Sequence, residues 1–387
     1  MIYVPAGRNR PYQSVEMNLM NGRAAVRIAV LLVVWCVLFT ASADAQAQDE
    51  AQLPVKVFIL AGQSNMEGKA KVSLLEKQIA APETRERFAH LHRDGDWIKR
   101  SDVFIRFLDR SGPLTVGYGS PDRIGPELDF GHSTGDHFEQ PVLIIKTAWG
   151  GKSLFRDFRP PSAGLPGPEV LEKDLERARK RKPDTTLADI RDSYGVFYRQ
   201  MLHQVEDTLA NIDQYVPDYD DRGYELAGLV WFQGWNDMVN ADYTAAYTDN
   251  LVHFIRDVRR DLQQPQLPVV IGQLGVGGTS RPGIKPNPKR DTFKAAQAAA
   301  ADTAEFRGNV VVVRTDAFWD LDAEAVFAKG WKDHLEEWEQ VGSDYPFHYL
   351  GSAKTYCDIG RAFAAAIIAL DSASAESDST SSETSSN

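Results

Sequence analysis

Five short, nearly continuous apolar runs punctuate the chain. The first is Val57-Phe58-Ile59-Leu60-Ala61, and the others fill residues 141–147 (PVLIIKT), 226–232 (LAGLVWF), 268–274 (PVVIGQL) and 309–315 (NVVVVRT). Runs without in–out alternation suit strands covered on both faces. Between them the apolar spacing changes to that of a helix. Phe197, Met201, Val205 and Leu209 recur every four residues, Tyr247, Leu251, Phe254 and Val258 follow the same logic, and residues 353–370 read as a last helix. Strands alternating with helices predict an α/β fold, a three-layer, doubly wound, flavodoxin-like parallel sheet of about five strands within one domain over residues 53–370.

Three segments break this rhythm. Arg23 and Arg27 precede an apolar stretch over residues 28–39, and small residues follow at Ala41-Ser42-Ala43 and Ala43-Asp44-Ala45. That is the order of a secretory signal, so residues 1–47 are expected to be a signal region and the mature protein secreted or periplasmic. Twelve apolar residues are short for a membrane span, and no stable membrane insertion is expected after cleavage. The polar opening, residues 1–16, is unusual for a signal, which makes Met17 or Met20 candidate starts. Residues 156–167, rich in Pro and Gly, and the charged residues 169–182, with Glu176 and Lys180 spaced to pair, read as an excursion over the rim of the sheet or as a solvated surface helix. The Ser/Thr/acidic tail, residues 371–387, carries too little apolar surface to fold and is expected to be disordered.

Composition narrows the function classes. The 387 residues carry a formal net charge of -11, so the chain lacks the basic footprint of a nucleic-acid partner. Of the two cysteines, Cys36 lies in the signal region, leaving Cys357 with no partner for an internal disulfide.

The candidate chemistry sits where the strands end. Gly62-Gln63-Ser64-Asn65-Met66 follows the first run, and the carboxyl ends of strands in open α/β sheets are where ligands bind. Ser64 is there a candidate nucleophile, and its N–H a candidate oxyanion donor. The same pentapeptide also suits a plain strand-to-helix turn. A serine nucleophile needs a base. Of the eight histidines His348 is best placed, in Asp344-Tyr345-Pro346-Phe347-His348 before the last helix. Asp344 is the candidate acid behind it, with a water or carbonyl as the alternative. His90 and His92 could ligate a metal, but no third ligand with zinc spacing lies near them, and no metal or other cofactor is expected. His203 and His253 read as surface residues of helices. Trp149-Gly150-Gly151-Lys152-Ser153 and Gln233-Gly234-Trp235-Asn236-Asp237 end two further strands and offer backbone and amide donors.

In their order along the chain, Gly62-Gln63-Ser64-Asn65-Met66, Ile124-Gly125-Pro126-Glu127-Leu128-Asp129-Phe130-Gly131, Lys146-Thr147-Ala148-Trp149-Gly150-Gly151, Gln233-Gly234-Trp235-Asn236-Asp237 and a late histidine resemble the SGNH hydrolases. The nearest likeness is the sialate O-acetylesterase-like branch of carbohydrate acetylesterases, over residues 55–368. The resemblance implies a serine esterase that removes O-acetyl groups from a carbohydrate through an acyl-enzyme. It implies Ser64 as nucleophile, His348 as base and the Ser64, Gly150 and Gly151 backbone as oxyanion hole, completed by Asn236 or, on the pattern of the acetylesterase branch, Gln233. Gln63, Asn65, Glu127, Trp149 and Trp235 are expected against the substrate. Two positions depart from the pattern. Trp235 stands where the branch usually has an acid, and Tyr345 occupies the family's acid position three before the histidine, with Asp344 one residue further back. A non-catalytic carbohydrate-binding protein on the same fold and a short-chain arylesterase or lipase are the alternatives.

Overall fold

Each of the five apolar runs is a strand; four are buried because helices cover both sides, while the last, at the sheet edge, is only half-buried beyond Val310. In the computed structural model, which describes residues 53–384 and side chains up to residue 373, the central sheet has seven strands. They are β1 (Val55–Gly62), β2 (Val103–Phe107), β3 (Arg110–Pro113), β4 (Val142–Ala148), β5 (Tyr224–Phe232), β6 (Val269–Gln273) and β7 (Val310–Arg314). Their spatial order is β7-β6-β5-β1-β4-β2-β3, and every pairing is parallel except the β2–β3 hairpin. The five strands expected from sequence thus stand in the flavodoxin-like order, and the hairpin adds two beyond β4.

One face carries α2 (Glu127–His137) and α7 (Ala353–Thr384), which pack on each other and on the sheet. The other carries α3 (Val196–Ala210), α5 (Tyr247–Asp261) and α6 (Pro288–Ala301). β5 shows both contacts. The Phe232 ring lies 5.3 Å from Phe363 of α7, and the Trp231 ring 4.3 Å from Phe254 of α5. Tyr247, Leu251, Phe254 and Val258 are all buried, as their spacing predicts. In α3 the buried line is rotated slightly, to Tyr198, Met201, Val205 and Thr208. Two one-turn helices matter for the site, α1 (Ser64–Glu67) after β1 and α4 (Trp235–Met238) after β5.

The excursion after β4 builds a helix over Pro168–Arg179 and a small apolar cluster of Phe155, Leu171, Ile190 and Tyr194. Asp174, 5% exposed, fastens it by accepting from Arg156 Nη1 and the Tyr194 hydroxyl, both at 2.8 Å. α7 continues as backbone to Thr384, through the Ser/Thr/acidic segment, and its last buried side chain is Leu370. The expected signal region lies outside the described residues. Among the described residues no helix is long and apolar enough to cross a membrane.

Candidate active site

The chain reverses its direction of travel across the sheet between β1 and β5, the place where doubly wound folds open a crevice at their strand ends. β1 leaves that crevice through Gly62. A Cβ there would stand 2.1 Å from the Phe232 carbonyl oxygen, so no side chain fits where β1 and β5 converge. Ser64 follows as the first residue of α1, 6% exposed. No side chain caps that helix. Gln63, the residue in place to do so, turns its amide toward β5 instead. Its Oε1 accepts from the Gly234 N–H at 3.0 Å and its Nε2 donates to Asn236 Oδ1 at 3.2 Å.

The turn carrying His348 packs against α1, and Asn65 fastens the two together. Asn65 Nδ2 donates to the Phe347 carbonyl at 3.2 Å, while its Oδ1 accepts from the Tyr356 hydroxyl at 3.0 Å. That hydroxyl also lies 3.3 Å from the His348 carbonyl. Tyr349, Leu350 and Gly351 follow with φ of 50°, 60° and 58°. Two successive non-glycine residues in the left-handed region are costly, and such strain persists only where surrounding bonds overdetermine it. Here the Leu350 carbonyl accepts the N–H groups of Ser343 and Asp344, at 2.8 and 3.0 Å. The Tyr349 hydroxyl accepts the Gly275 N–H at 2.7 Å and lies 2.6 Å from Thr315 Oγ1, at the ends of β6 and β7.

Within this turn His348 Nδ1 lies 3.0 Å from Asp344 Oδ1. Asp344 Oδ2 accepts from Arg123 Nη1 at 2.6 Å, and its Oδ1 from the Tyr345 N–H at 2.7 Å. Burial pushes the Asp344 carboxyl up, but the bonds from His348 and the Tyr345 N–H, with the charge of Arg123, outweigh it and hold the group below the usual carboxylate range. Asp344, one residue from the family's acid position, therefore reaches the imidazole from where it stands. Arg123 was not legible as part of the site, since 221 residues separate it from Asp344 and it stands just outside the motif that starts at Ile124.

The oxyanion candidates close the opposite wall. Gly150 and Gly151 are exposed, and a Cβ on Gly150 would lie 3.9 Å from Ser64 Cβ. Gly151 has φ of 72°, and its carbonyl accepts Asn236 Nδ2 at 2.9 Å. Asn236 is half-buried, and among the described residues its Nδ2 makes only that bond, which leaves the second amide hydrogen available to a ligand. Gln233 differs. Only 2% exposed, its Nε2 faces the Gln63 Oε1, the Lys152 carbonyl and Asp237 Oδ2, at 3.2, 3.0 and 2.6 Å, and its Oε1 takes the Tyr247 hydroxyl at 3.0 Å. Three acceptors exhaust its two hydrogens. Asp237, fully buried, also receives the N–H groups of Leu154 and Phe155. Burial pushes its carboxyl up to about 7 against those donors.

Several residues expected against substrate belong instead to the frame. Glu127 is 1% exposed and lies under the site, where its Oε2 pairs with Lys146 Nζ at 2.7 Å. Burial at that depth removes it from any sugar. Gln63 and Asn65, each 2% exposed, are committed to the bonds given above. Trp149 and Trp235 do stand at the rim, half-buried, the first packed on Phe197 at 5.1 Å and the second on Phe347 at 5.7 Å. The other histidines are elsewhere. His90 Nε2 lies 2.7 Å from Asp129 Oδ1, His92 packs on Trp97, and among the described residues no group of three or more His, Cys, Asp and Glu could hold a metal ion.

Comparison with known proteins bears on the family of the chain. A probable carbohydrate esterase of Arabidopsis thaliana is 22% identical over 237 residues, 58% of this chain and 71% of that protein. A solved structure of an Arabidopsis thaliana protein covers 81% of this chain and 98% of its own at 16% identity, with a TM-score of 0.46. That of a carbohydrate acetylesterase from Xanthomonas citri covers 80% and 55% at 13% identity, with a TM-score of 0.42. The model of the family described as carbohydrate esterase, sialic acid-specific acetylesterase, matches residues 54–326; the chain belongs to this family and is a carboxylic ester hydrolase of the carbohydrate acetylesterase type.

Proposed function

We propose that the protein is a secreted serine esterase that removes O-acetyl groups from a carbohydrate through an acyl-enzyme. The observation that carries this reading is the Asn65 bridge, which fastens the turn of Ser64 to that of His348 while Asp344 engages the imidazole. With Nδ1 held by Asp344, Nε2 is the atom left to take the Ser64 proton. Ser64 Oγ then attacks the acetyl carbonyl, and the N–H groups of Ser64, Gly150 and Gly151 with Asn236 Nδ2 receive the oxyanion. His348 returns the proton to the departing sugar hydroxyl. A water, deprotonated by the same nitrogen, attacks the acetyl-serine, and His348 hands that proton to Ser64 Oγ as acetate leaves. Gln233 serves this site as a strut, since its amide hydrogens are already engaged. Secretion rests on the signal-like order of Arg23, Arg27, the apolar residues 28–39 and the small residues after them.

The test is acetate release from acetylated xylan and other acetylated glycans by the wild type and by Ser64→Ala. The wild type should release acetate and label with a fluorophosphonate, and the variant should do neither. Full retention of acetate release by Ser64→Ala would refute the assignment.

A further inference from the structure

Beside the triad, between the helix Val72–Ala80 and the segment 327–345, lies a groove of about 670 Å³. Pockets for small organic ligands span roughly 300–1,000 Å³. Trp331 and Tyr345 stand in its wall, and Lys71, Lys77, Arg123 and Asp344 contribute its polar surface.

Two features fit this groove to a sugar chain. First, its aromatic wall continues to the candidate site. Tyr345, 49% exposed, stacks flat on Phe347 with centroids 5.6 Å apart and planes 4° from parallel. Phe347 meets the His348 ring at 4.4 Å and Trp235 at 5.7 Å, while Trp331 stands edge-on to Tyr345 at 6.3 Å. The C–H face of a pyranose is apolar and weakly positive, and so matches the negative face of such rings. Second, charged groups at the edges can reach the equatorial hydroxyls. Lys77 is paired with Glu339 on the exposed edge, and Arg123 with Asp344 on the more buried one. Asp344 belongs to groove and triad alike, so an occupant of the groove ends one residue from the chemistry. The wall from 327 to 345 lies beyond the residues matched by the family, 54–326.

We infer that this groove is a subsite for the unreacting pyranose residues of an oligo- or polysaccharide, stacked on Tyr345 and Trp331, and that the substrate is an acetylated chain rather than a free monosaccharide. The inference rests on the carbohydrate esterase reading of Ser64, and its test is separate from that reading because it measures binding. The full chain carrying Ser64→Ala is titrated calorimetrically with xylohexaose, mannohexaose, chitohexaose and an α2,8-linked sialic acid trimer, and with each monomer. At least one oligomer should bind at least tenfold more tightly than its monomer. Tyr345→Ala and Trp331→Ala, added singly, should each weaken that binding about tenfold or more, and Tyr345→Phe should preserve it. The inference is overturned if none of the oligomers binds, if both alanine variants bind like the parent, or if Tyr345→Phe loses as much as Tyr345→Ala. Failure of the wild type to release acetate while Tyr345-dependent binding persists would instead sink the esterase reading and leave the groove a sugar site.

Discussion

In the proposed mechanism the usefulness of His348 as a base depends on which nitrogen carries its proton, and one carboxylate bears on that. Asp344 Oδ1 lies against Nδ1, while Oδ2 is turned away to Arg123. Asp344→Asn keeps the shape of this contact but can present a donor to Nδ1, which moves the imidazole hydrogen to the nitrogen needed as base. The expected result on an acetyl ester is a loss of kcat on the order of 10⁴, with KM little changed. The same substitution has a pH signature. Because the folded-state pKa of Asp344 is depressed, its contribution to stability is complete above the unfolded value of about 3.9 and is lost as pH falls through the lower folded value. The urea midpoints of wild type and Asp344→Asn should therefore stay apart from pH 8 to about pH 5 and converge only below about pH 4. Convergence already between pH 7 and pH 5 would contradict the depressed carboxylate.

At the scale of elements, the turn 343–351 is a strained segment held from two sides, by Asn65 at α1 and by Tyr349 at the ends of β6 and β7. Thr315 Oγ1 has the Gln273 carbonyl as its own acceptor at 2.6 Å, so the Tyr349 hydroxyl can donate to Thr315 while accepting from Gly275. Tyr349→Phe would leave the Gly275 N–H buried without that acceptor, at a cost of about 1–3 kcal/mol in urea unfolding. Because the released residues adjoin His348, kcat should fall as well; an unchanged kcat would mean that Asn65 and Asp344 alone hold the turn. This is also where sequence reading stops. Continuous apolar runs made five parallel strands legible, four of them interior with both faces covered and the fifth, β7, at the sheet edge. The hairpin was not legible: Arg106 interrupts the run of β2 and leaves it to pair with Asp207 of α3, and β3 is Arg110-Ser111-Gly112-Pro113, an edge strand with almost no strand composition. The placement of Ser64 and the glycine turn at strand ends, and of His348 in a turn before the last helix, was legible. The division of labour among Gln63, Asn65, Gln233 and Asn236 was not, since four neutral amides have the same chemistry until contacts and burial separate them: Gln233 has its hydrogens engaged, Gln63 and Asn65 are buried in the frame, and Asn236 stands half-buried.

Across the whole molecule, the site hangs on a charge at the centre of the fold. Lys146 is 0% exposed in the middle of β4, and its ammonium donates to the Glu67 carbonyl at 2.9 Å, the Tyr118 carbonyl at 2.8 Å and Glu127 Oε2 at 2.7 Å. Three donors meet three acceptors, and the one negative charge among them balances the positive one. Those acceptors belong to the end of α1, to the loop before α2 and to α2 itself, so a single side chain joins the sheet, the helix of Ser64 and one outer layer. Burial favours the neutral amine and lowers the Lys146 pKa, and Glu127 opposes that. A buried pair of this kind contributes little over a well-packed apolar substitute, but removing one partner strands the other. Lys146→Met would strand the Glu127 carboxyl at 1% exposure, with the Gly125 N–H, at 2.8 Å, as its remaining hydrogen-bond donor among the described residues. The expected loss is about 3–5 kcal/mol in urea unfolding. Lys146→Met combined with Glu127→Gln removes the stranded charge and should recover part of it. If the pair acted only through packing, the double variant would be no more stable than the single one. Activity separates the two roles further: the double variant still lacks the bond to the Glu67 carbonyl that fixes the end of α1, so its kcat should stay depressed even where its stability returns.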